Sequence, residues 1–523
     1  MGNFSGESQW SGVTLTSTAN GVQRSFSFPS NLPSGSTANT TVLIATQGFA
    51  DVALVTPDFI VPASFLFTAG GSLNFGNVDT ITYGAFAGDG AQSVDRNGVQ
   101  ATSTPKNFAG VTGTLPVPPT AELLVITGTA GDDTLTGTLN AETISGLAGN
   151  DTIKSGGGND TQRGDAGDDS IFSGAGNDAI DGGEGYDYLY FTDATSGVSI
   201  NMVTGTALGG SGSDTIAGIE LVFGSSFNDT FVGSNSPVGF LGGDGNDTIT
   251  GGAGRDHLEG NGGDDTIDGK DGVDAVAYYS AAFAVNVNLT TGTATGGLGN
   301  DTLLNIEDVV GSVFGDALTG NSGDNVLEGS DGNDTFVSTA GGDTLNGGIG
   351  IDSVVYPQAR SAYTLQRSSA GVYAIEKPDS AGSDTLPGTE RLQFSDTRLA
   401  LDLDGHAGQT AKLLGAVFGV AALTNKQFVG IGLSLLDSGT TYEQLATLAV
   451  SATGKSSPAD VVALLWNNLF GAAPTAEQAA PVVALLNAGL TVGALTVLAA
   501  DLSLNTEHIN LVGLAQTGIE FVL

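Results

Sequence analysis

No cysteine occurs anywhere in the 523 residues, which excludes disulfides and thiolate metal sites together. Basic residues are scarce: 15 Lys and Arg stand against 56 Asp and Glu, a formal net charge of -41. A chain so acidic repels polyanions, which excludes nucleic acid and anionic membrane surfaces as partners and makes cations the natural counterpart. Glycine is abundant at 81 residues, but without a period of three, so a collagen-like fibre is excluded as well.

Long apolar runs are also missing. The best candidate, Ala479 to Ala500, carries no charge, but Pro481, Asn487, Gly489 and Gly493 interrupt it and no basic residue flanks it closely. It reads as packed helices, with no membrane span. Met1-Gly2-Asn3-Phe4-Ser5-Gly6-Glu7 has neither a basic segment nor an apolar run, so no secretory signal peptide is expected there. Catalytic motifs are absent too: there is no His-Glu-x-x-His and no Gly-x-Ser-x-Gly, and His257, His406 and His508 are isolated from one another in sequence. The chain is not expected to be an enzyme.

What the chain does contain is a repeat of nine. Seven units without insertion or deletion begin at Gly128, Gly137, Gly146, Ser155, Gly164, Ser173 and Gly182, and the sixth position holds Asp133, Glu142, Asp151, Asp160, Asp169, Asp178 and Asp187. The spacing resumes from Gly224 with Asp229, Asp247, Asp256, Asp265 and Asp274, and from Gly311 with Asp316, Asp334, Asp343 and Asp352. Val238 and Asn325 replace the acid in one unit each. Between these blocks the sequence is duplicated at an offset of 87, with Asp214, Ile219 and Glu220 recurring as Asp301, Ile306 and Glu307. Alternating runs within the duplicated inserts, Val198 to Met202 and Val285 to Leu289, predict strands longer than those of the repeat, as wider coils of one solenoid.

In the unit Gly242-Gly-Asp-Gly-Asn-Asp247-Thr-Ile-Thr250, three glycines allow a tight turn in which backbone carbonyls converge, and the acid adds a hard oxygen. A donor set of oxygen alone suits Ca²⁺ rather than zinc or copper. The closing Thr-Ile-Thr alternates, so a short strand points its apolar residue inward; Gln162 breaks this rule, and a locally weak turn is expected there. Carboxylates stacked at about 4.8 Å would repel by roughly 3 kcal/mol per neighbouring pair, so folding is expected to require the cation.

These units resemble the Gly-Gly-x-Gly-x-Asp-x-apolar-x repeat of the RTX (repeats-in-toxin) family. The resemblance implies a mainly β protein built on a right-handed parallel β-roll solenoid. Its calcium ions would lie between turns 18 residues apart, so that Asp133 shares with Asp151, while Glu142 departs from the pattern. Asp214 and Asp301 of the inserts complete the candidate ligands. Export by a type I secretion apparatus is also implied, with Glu520-Phe521-Val522-Leu523 similar to the acidic and apolar tail of many such substrates. Asp404-Gly-His-Ala-Gly-Gln409, Ala416-Val-Phe-Gly419 and Leu469-Phe-Gly-Ala-Ala-Pro474 resemble a domain of unknown function found at the ends of RTX surface proteins.

The expected organisation is a β-rich, sandwich-like module over 1–114, a proline-containing linker over 115–122, the roll over 123–355, a β cap over 356–404 and an all-α domain over 405–523. The expected function is that of a secreted, calcium-binding structural protein of a Gram-negative surface, assembling as a homo-oligomer or lattice such as a surface layer. Two alternatives stand beside it. One is a calcium-dependent adhesin binding through residues 1–114; the other is a glycan-active enzyme drawing on Glu7, Asp51, Asp58, Asp79, Asp89 and Asp95.

Overall fold

The computed structural model describes residues 124–523 apart from 211, 298, 379 and 380, together with six strands within residues 1–123. The chain divides into two compact units, residues 1–123 and 124–523. In the first, Thr14–Ala19 pairs antiparallel with Val22–Ser27, Thr41–Ile44 with Val52–Val55, and Ser72–Phe75 with Val78–Thr82. Ala19 opposes Val22, and the Asn20-Gly21 pair between them, a hairpin-turn signal in the sequence, lies outside the described residues. Phe65 to Phe67, a strand-like run in the sequence, lies outside the described residues, as do Glu7, Asp51, Asp58, Asp89 and Asp95.

In the second unit the nine-residue period becomes one strand per repeat, dealt alternately to two parallel sheets. Thr134–Thr136, Thr152–Lys154, Ser170–Phe172 and Tyr188–Tyr190 run side by side in one sheet, with Ile153 facing Leu135 and Ile171. Leu124–Thr127, Glu142–Ala148, Thr161–Ala166 and Ala179–Glu184 do so in the other. Two repeats therefore make one coil, and equivalent residues 18 apart pair in register. A three-residue strand turns one side chain inward, and those side chains form a single column behind each sheet: Leu135, Ile153, Ile171 and Leu189 on one side, Ile144 and Ile180 on the other. Each contributes roughly 2 kcal/mol of burial. The core is only one residue deep per sheet, so polar atoms at the turns weigh heavily in its stability.

Gln162 occupies an inward place and is fully buried, and its strand continues unbroken. The weakness expected there is confined to one atom: the amide nitrogen donates to the Ser173 carbonyl at 3.1 Å, while Oε1 has no partner.

The inserts differ from wider coils. Val198–Asn201, Thr206–Gly209 and Gly212–Ala217 form an antiparallel meander whose two outer strands join Thr230–Val232 and Ala179–Glu184 in parallel. Val285–Asn288, Thr293–Gly296 and Gly299–Leu304 repeat the arrangement. Tight turns at Gly205 and Gly292, with φ of 63° and 67°, let each alternating run fold back on its neighbour instead of crossing to the facing sheet. That facing sheet continues directly from Tyr188–Tyr190 to Leu221–Phe223 and from Ala275–Ala277 to Asp308–Val310.

Both sheets end in antiparallel strands. Ser383–Leu386, Tyr373–Glu376 and Thr364–Arg367 finish one; Arg391–Gln393, Arg398–Ala400 and Ile519–Phe521 finish the other. The chain's closing residues are thus part of the cap, with Ile519 and Phe521 buried.

Between these strands lie eight α-helices, at His406–Phe418, Lys426–Asp437, Tyr442–Ala452, Pro458–Phe470, Ala476–Asn487, Val492–Ala500, Ser503–His508 and Leu511–Thr517. Thr441 and Thr475 make capping boxes with Gln444 and Gln478, and Ser457 caps the helix opened by Pro458. The sequence signals anticipate five of these helices but miss Lys426–Asp437, whose cap is Asn425, and Leu511–Thr517, and they do not separate Ser503–His508 from the helix before it. The apolar stretch from Ala479 is split between two helices, and among the described residues no helix is long and apolar enough to cross a membrane.

Candidate metal centre

Each turn is shaped by its glycines. In the unit beginning at Gly242, Gly243 and Gly245 have φ of 106° and 128°, angles that only glycine adopts cheaply. The leading glycine is needed for a different reason. A Cβ at Gly242 would lie 2.1 Å from Asp247 Oδ2 and 2.7 Å from the carbonyl oxygen of Gly260, one coil further on. Gly146 stands in the same relation to Asp151 and Gly164, and Gly329 to Asp334 and Gly347. A carboxylate oxygen and a carbonyl oxygen therefore share a cradle beside the leading glycine.

The acids form ladders along the turns. The amide of Asp133 donates to Asp151 Oδ1 at 2.7 Å, Asp151 to Asp169 at 2.7 Å, and Asp169 to Asp187 at 2.9 Å. On the opposite turns Glu142 donates to Asp160, Asp160 to Asp178 and Asp178 to Asp214. The second block runs from Asp229 through Asp247 and Asp265 to Asp301, and from Asp256 to Asp274. The third runs from Asp316 through Asp334 to Asp352. All eighteen acids expected from the sequence belong to these ladders or, for Asp343, to the step from Asn325 to Asp384.

The structure adds four acids that the sequence pattern did not single out. Glu220, Glu307 and Glu390 accept the amides of Asp187, Asp274 and Asp352, and Asp384 accepts that of Asp343. Signals for three of them exist. Glu220 and Glu307 are equivalent across the 87-residue duplication, and Gly382, Asp384 and Leu386 keep the Gly-x-Asp-x-apolar spacing of the repeat.

Because Oδ1 is committed to a backbone amide, the second carboxylate oxygen is the informative atom. In Asp151, Asp160, Asp169, Asp178, Asp187, Asp214, Asp247, Asp265, Asp274, Asp334 and Asp352 it is buried and has no hydrogen-bond partner. The other seven acids have partners of their own. Asp133, Asp229 and Asp316 are capped by the amide and hydroxyl of Thr129, Ser225 and Ser312. Glu142 is held by Thr138, and Asp256 by the Gly252 amide at 2.6 Å. Asp301 accepts the Tyr278 hydroxyl at 3.1 Å, and Asp343 accepts Lys377 at 3.2 Å.

Burying so many carboxylates raises their proton affinity. Desolvation, reinforced by neighbouring acids, lifts Asp178, Asp247 and Asp334 to about 7 and Asp187, Asp265 and Asp274 to about 6, against an ordinary 3.8. Burial alone lifts Asp214 and Asp352 to about 6. Buried oxygens that accept no hydrogen bond and hold protons this firmly are an unmet demand for positive charge.

Among the described residues no three His, Cys, Asp or Glu side chains converge on one point. A cation would therefore be held by one or two carboxylates together with backbone carbonyls, a hard all-oxygen set that fits calcium.

Stacked turns that pair a leading glycine with a buried, half-satisfied acid define a calcium-binding β-roll. The family model described as the RTX calcium-binding nonapeptide repeat (4 copies) matches residues 125–153, 136–161, 155–189, 241–276 and 315–354. The chain carries RTX calcium-binding repeats, and its cofactor is calcium. Comparison with curated proteins gave no match. Among solved structures, the extracellular lipase LipA from Serratia marcescens is similar at 15% identity and a TM-score of 0.13, over 50% of this chain and 38% of the lipase. The matched region thus spans less than half of that lipase.

Proposed function

We propose that this protein is a secreted structural protein whose acidic array folds when it meets calcium outside the cell and then assembles with further copies at the cell surface. The observation that carries this reading is the set of eleven buried carboxylate oxygens without a partner. Calcium, once bound, supplies the positive charge and oxygen coordination that those atoms lack. Asp151, Asp169, Asp187, Asp247, Asp265, Asp334 and their counterparts present the carboxylate oxygens, and the leading glycines leave room for the carbonyls beside them. At low cytosolic calcium the same acids repel one another, so the chain stays extended enough to be exported by a type I secretion apparatus. A tail that folds as Ile519–Phe521 is open to that apparatus only before the cap forms.

The structural rather than catalytic assignment is supported by the absence of protease and hydrolase motifs from the sequence. Sedimentation velocity and electron microscopy of the calcium-loaded chain test the assembly. Ordered oligomers or sheets are expected; a chain that stays monomeric with full calcium occupancy contradicts it.

A further inference from the structure

One step of the acid ladder is built differently from the rest. Where Asp343 donates its amide to Asp384 Oδ1 at 3.1 Å, a lysine from the cap enters the turn. The side chain of Lys377 is 4% exposed, and its ammonium donates to Asp384 Oδ1 at 2.5 Å, Asp343 Oδ2 at 3.2 Å and the Thr339 carbonyl at 2.9 Å. Those acceptors are two carboxylates from successive coils and a turn carbonyl, which saturate the three N–H groups of an ammonium. The remaining oxygen of Asp384 accepts Ser338 at 2.8 Å and Tyr356 at 3.1 Å, and Asp343 Oδ1 accepts the Asn325 amide at 3.1 Å. No carboxylate oxygen is left over. At the neighbouring step from Asp334 to Asp352, made by the same amide-to-carboxylate bond, both acids keep an unpartnered Oδ2.

We infer that Lys377 is a built-in cation for the last coil: its ammonium fills the place between Asp343 and Asp384 that calcium takes at the open steps, so this turn binds no ion. The inference rests on the reading of the open steps as calcium sites. A buried ammonium is costly unless its donors are met, and here all three are. Removing it would leave two buried carboxylates and a carbonyl facing one space, the oxygen set of the open turns.

The test counts calcium ions per chain, by equilibrium dialysis with metal analysis, in the full protein and its variants. Lys377→Ala is expected to bind one ion more than the parent, and its cap strands are expected to become calcium-dependent by hydrogen exchange. In the parent background Asp343→Asn is expected to leave the count unchanged, whereas Asp334→Asn lowers it by at least one. This second arm decides the matter if Lys377→Ala does not fold. An unchanged count in Lys377→Ala, or an ion lost in Asp343→Asn, overturns the inference while leaving the array reading intact. A parent chain that takes up no calcium overturns the array reading itself.

Discussion

The turns of the roll and the ends of the helices meet the same difficulty, polar atoms with no partner within their own element, and resolve it in opposite ways. Most of the helices close their first turns with side chains from the chain itself: Thr441, Ser457, Thr475 and Thr491 each accept a backbone amide. The roll leaves one oxygen of eleven buried acids open. Those helix starts are complete as synthesised, and the roll is complete only with an ion. The two duplicated inserts show how small the difference can be. Asp301 accepts the Tyr278 hydroxyl, but at the equivalent place 87 residues earlier Phe191 offers none, and Asp214 Oδ2 is unpartnered.

Chelation should separate the two regions most strongly. In hydrogen exchange, excess chelator is expected to deprotect residues 128–352 by orders of magnitude while the amides of Pro458–Phe470 stay protected; uniform loss across both would erase the distinction. Acid should partly replace the metal. Folded, Asp178, Asp187, Asp214, Asp247, Asp265, Asp274, Asp334 and Asp352 protonate at about 6 to 7, against 3.8 when unfolded, so the folded state holds more protons between those limits. That stability is fully present below 3.8 and lost as pH rises through about 6 to 7. Calcium-free protein is therefore expected to gain β structure by circular dichroism on moving from about pH 7.5 to about pH 5. Calcium affinity should fall over the same range.

Glycine substitutions sharpen the contrast further. Gly242→Ala pushes a methyl group against Asp247 Oδ2 and should cost the loaded protein about 3 kcal/mol together with calcium at that turn. Gly439→Ala, at a helix end with φ of 92° and nothing within 4 Å, should cost about 1 kcal/mol and leave calcium binding unchanged. Paired thermal melts and calcium counts read both. Gln162→Leu, which removes the orphaned amide oxygen from the apolar column, is expected to stabilise the loaded form by about 1 kcal/mol without altering the calcium count.

Much of this was legible in the sequence because a strict period fixes register. Nine residues set one strand, eighteen one coil, and every sixth-position acid falls on a ladder. Less legible was anything decided between distant segments. The meanders depend on tight turns at Gly205 and Gly292, which share the local spelling of the repeat. Glu220, Glu307 and Glu390 reach the ladders from outside the nine-residue count. Which acids carry an open oxygen depends on whether the residue after the leading glycine turns a donor onto it, as Thr129, Ser225, Ser312 and the Gly252 amide do and Ser330 does not, or whether a residue such as Tyr278 or Lys377 arrives from elsewhere. Position six alone cannot show this.

The central claim is that the buried acids leave the array incomplete until calcium binds. A calcium titration of the full chain at neutral pH, followed by far-ultraviolet circular dichroism, tests it most directly. A cooperative gain of β signal, saturating with several ions per chain and reversed by chelator, is the result predicted. A spectrum that does not change with calcium, in a chain already folded without it, would contradict the account.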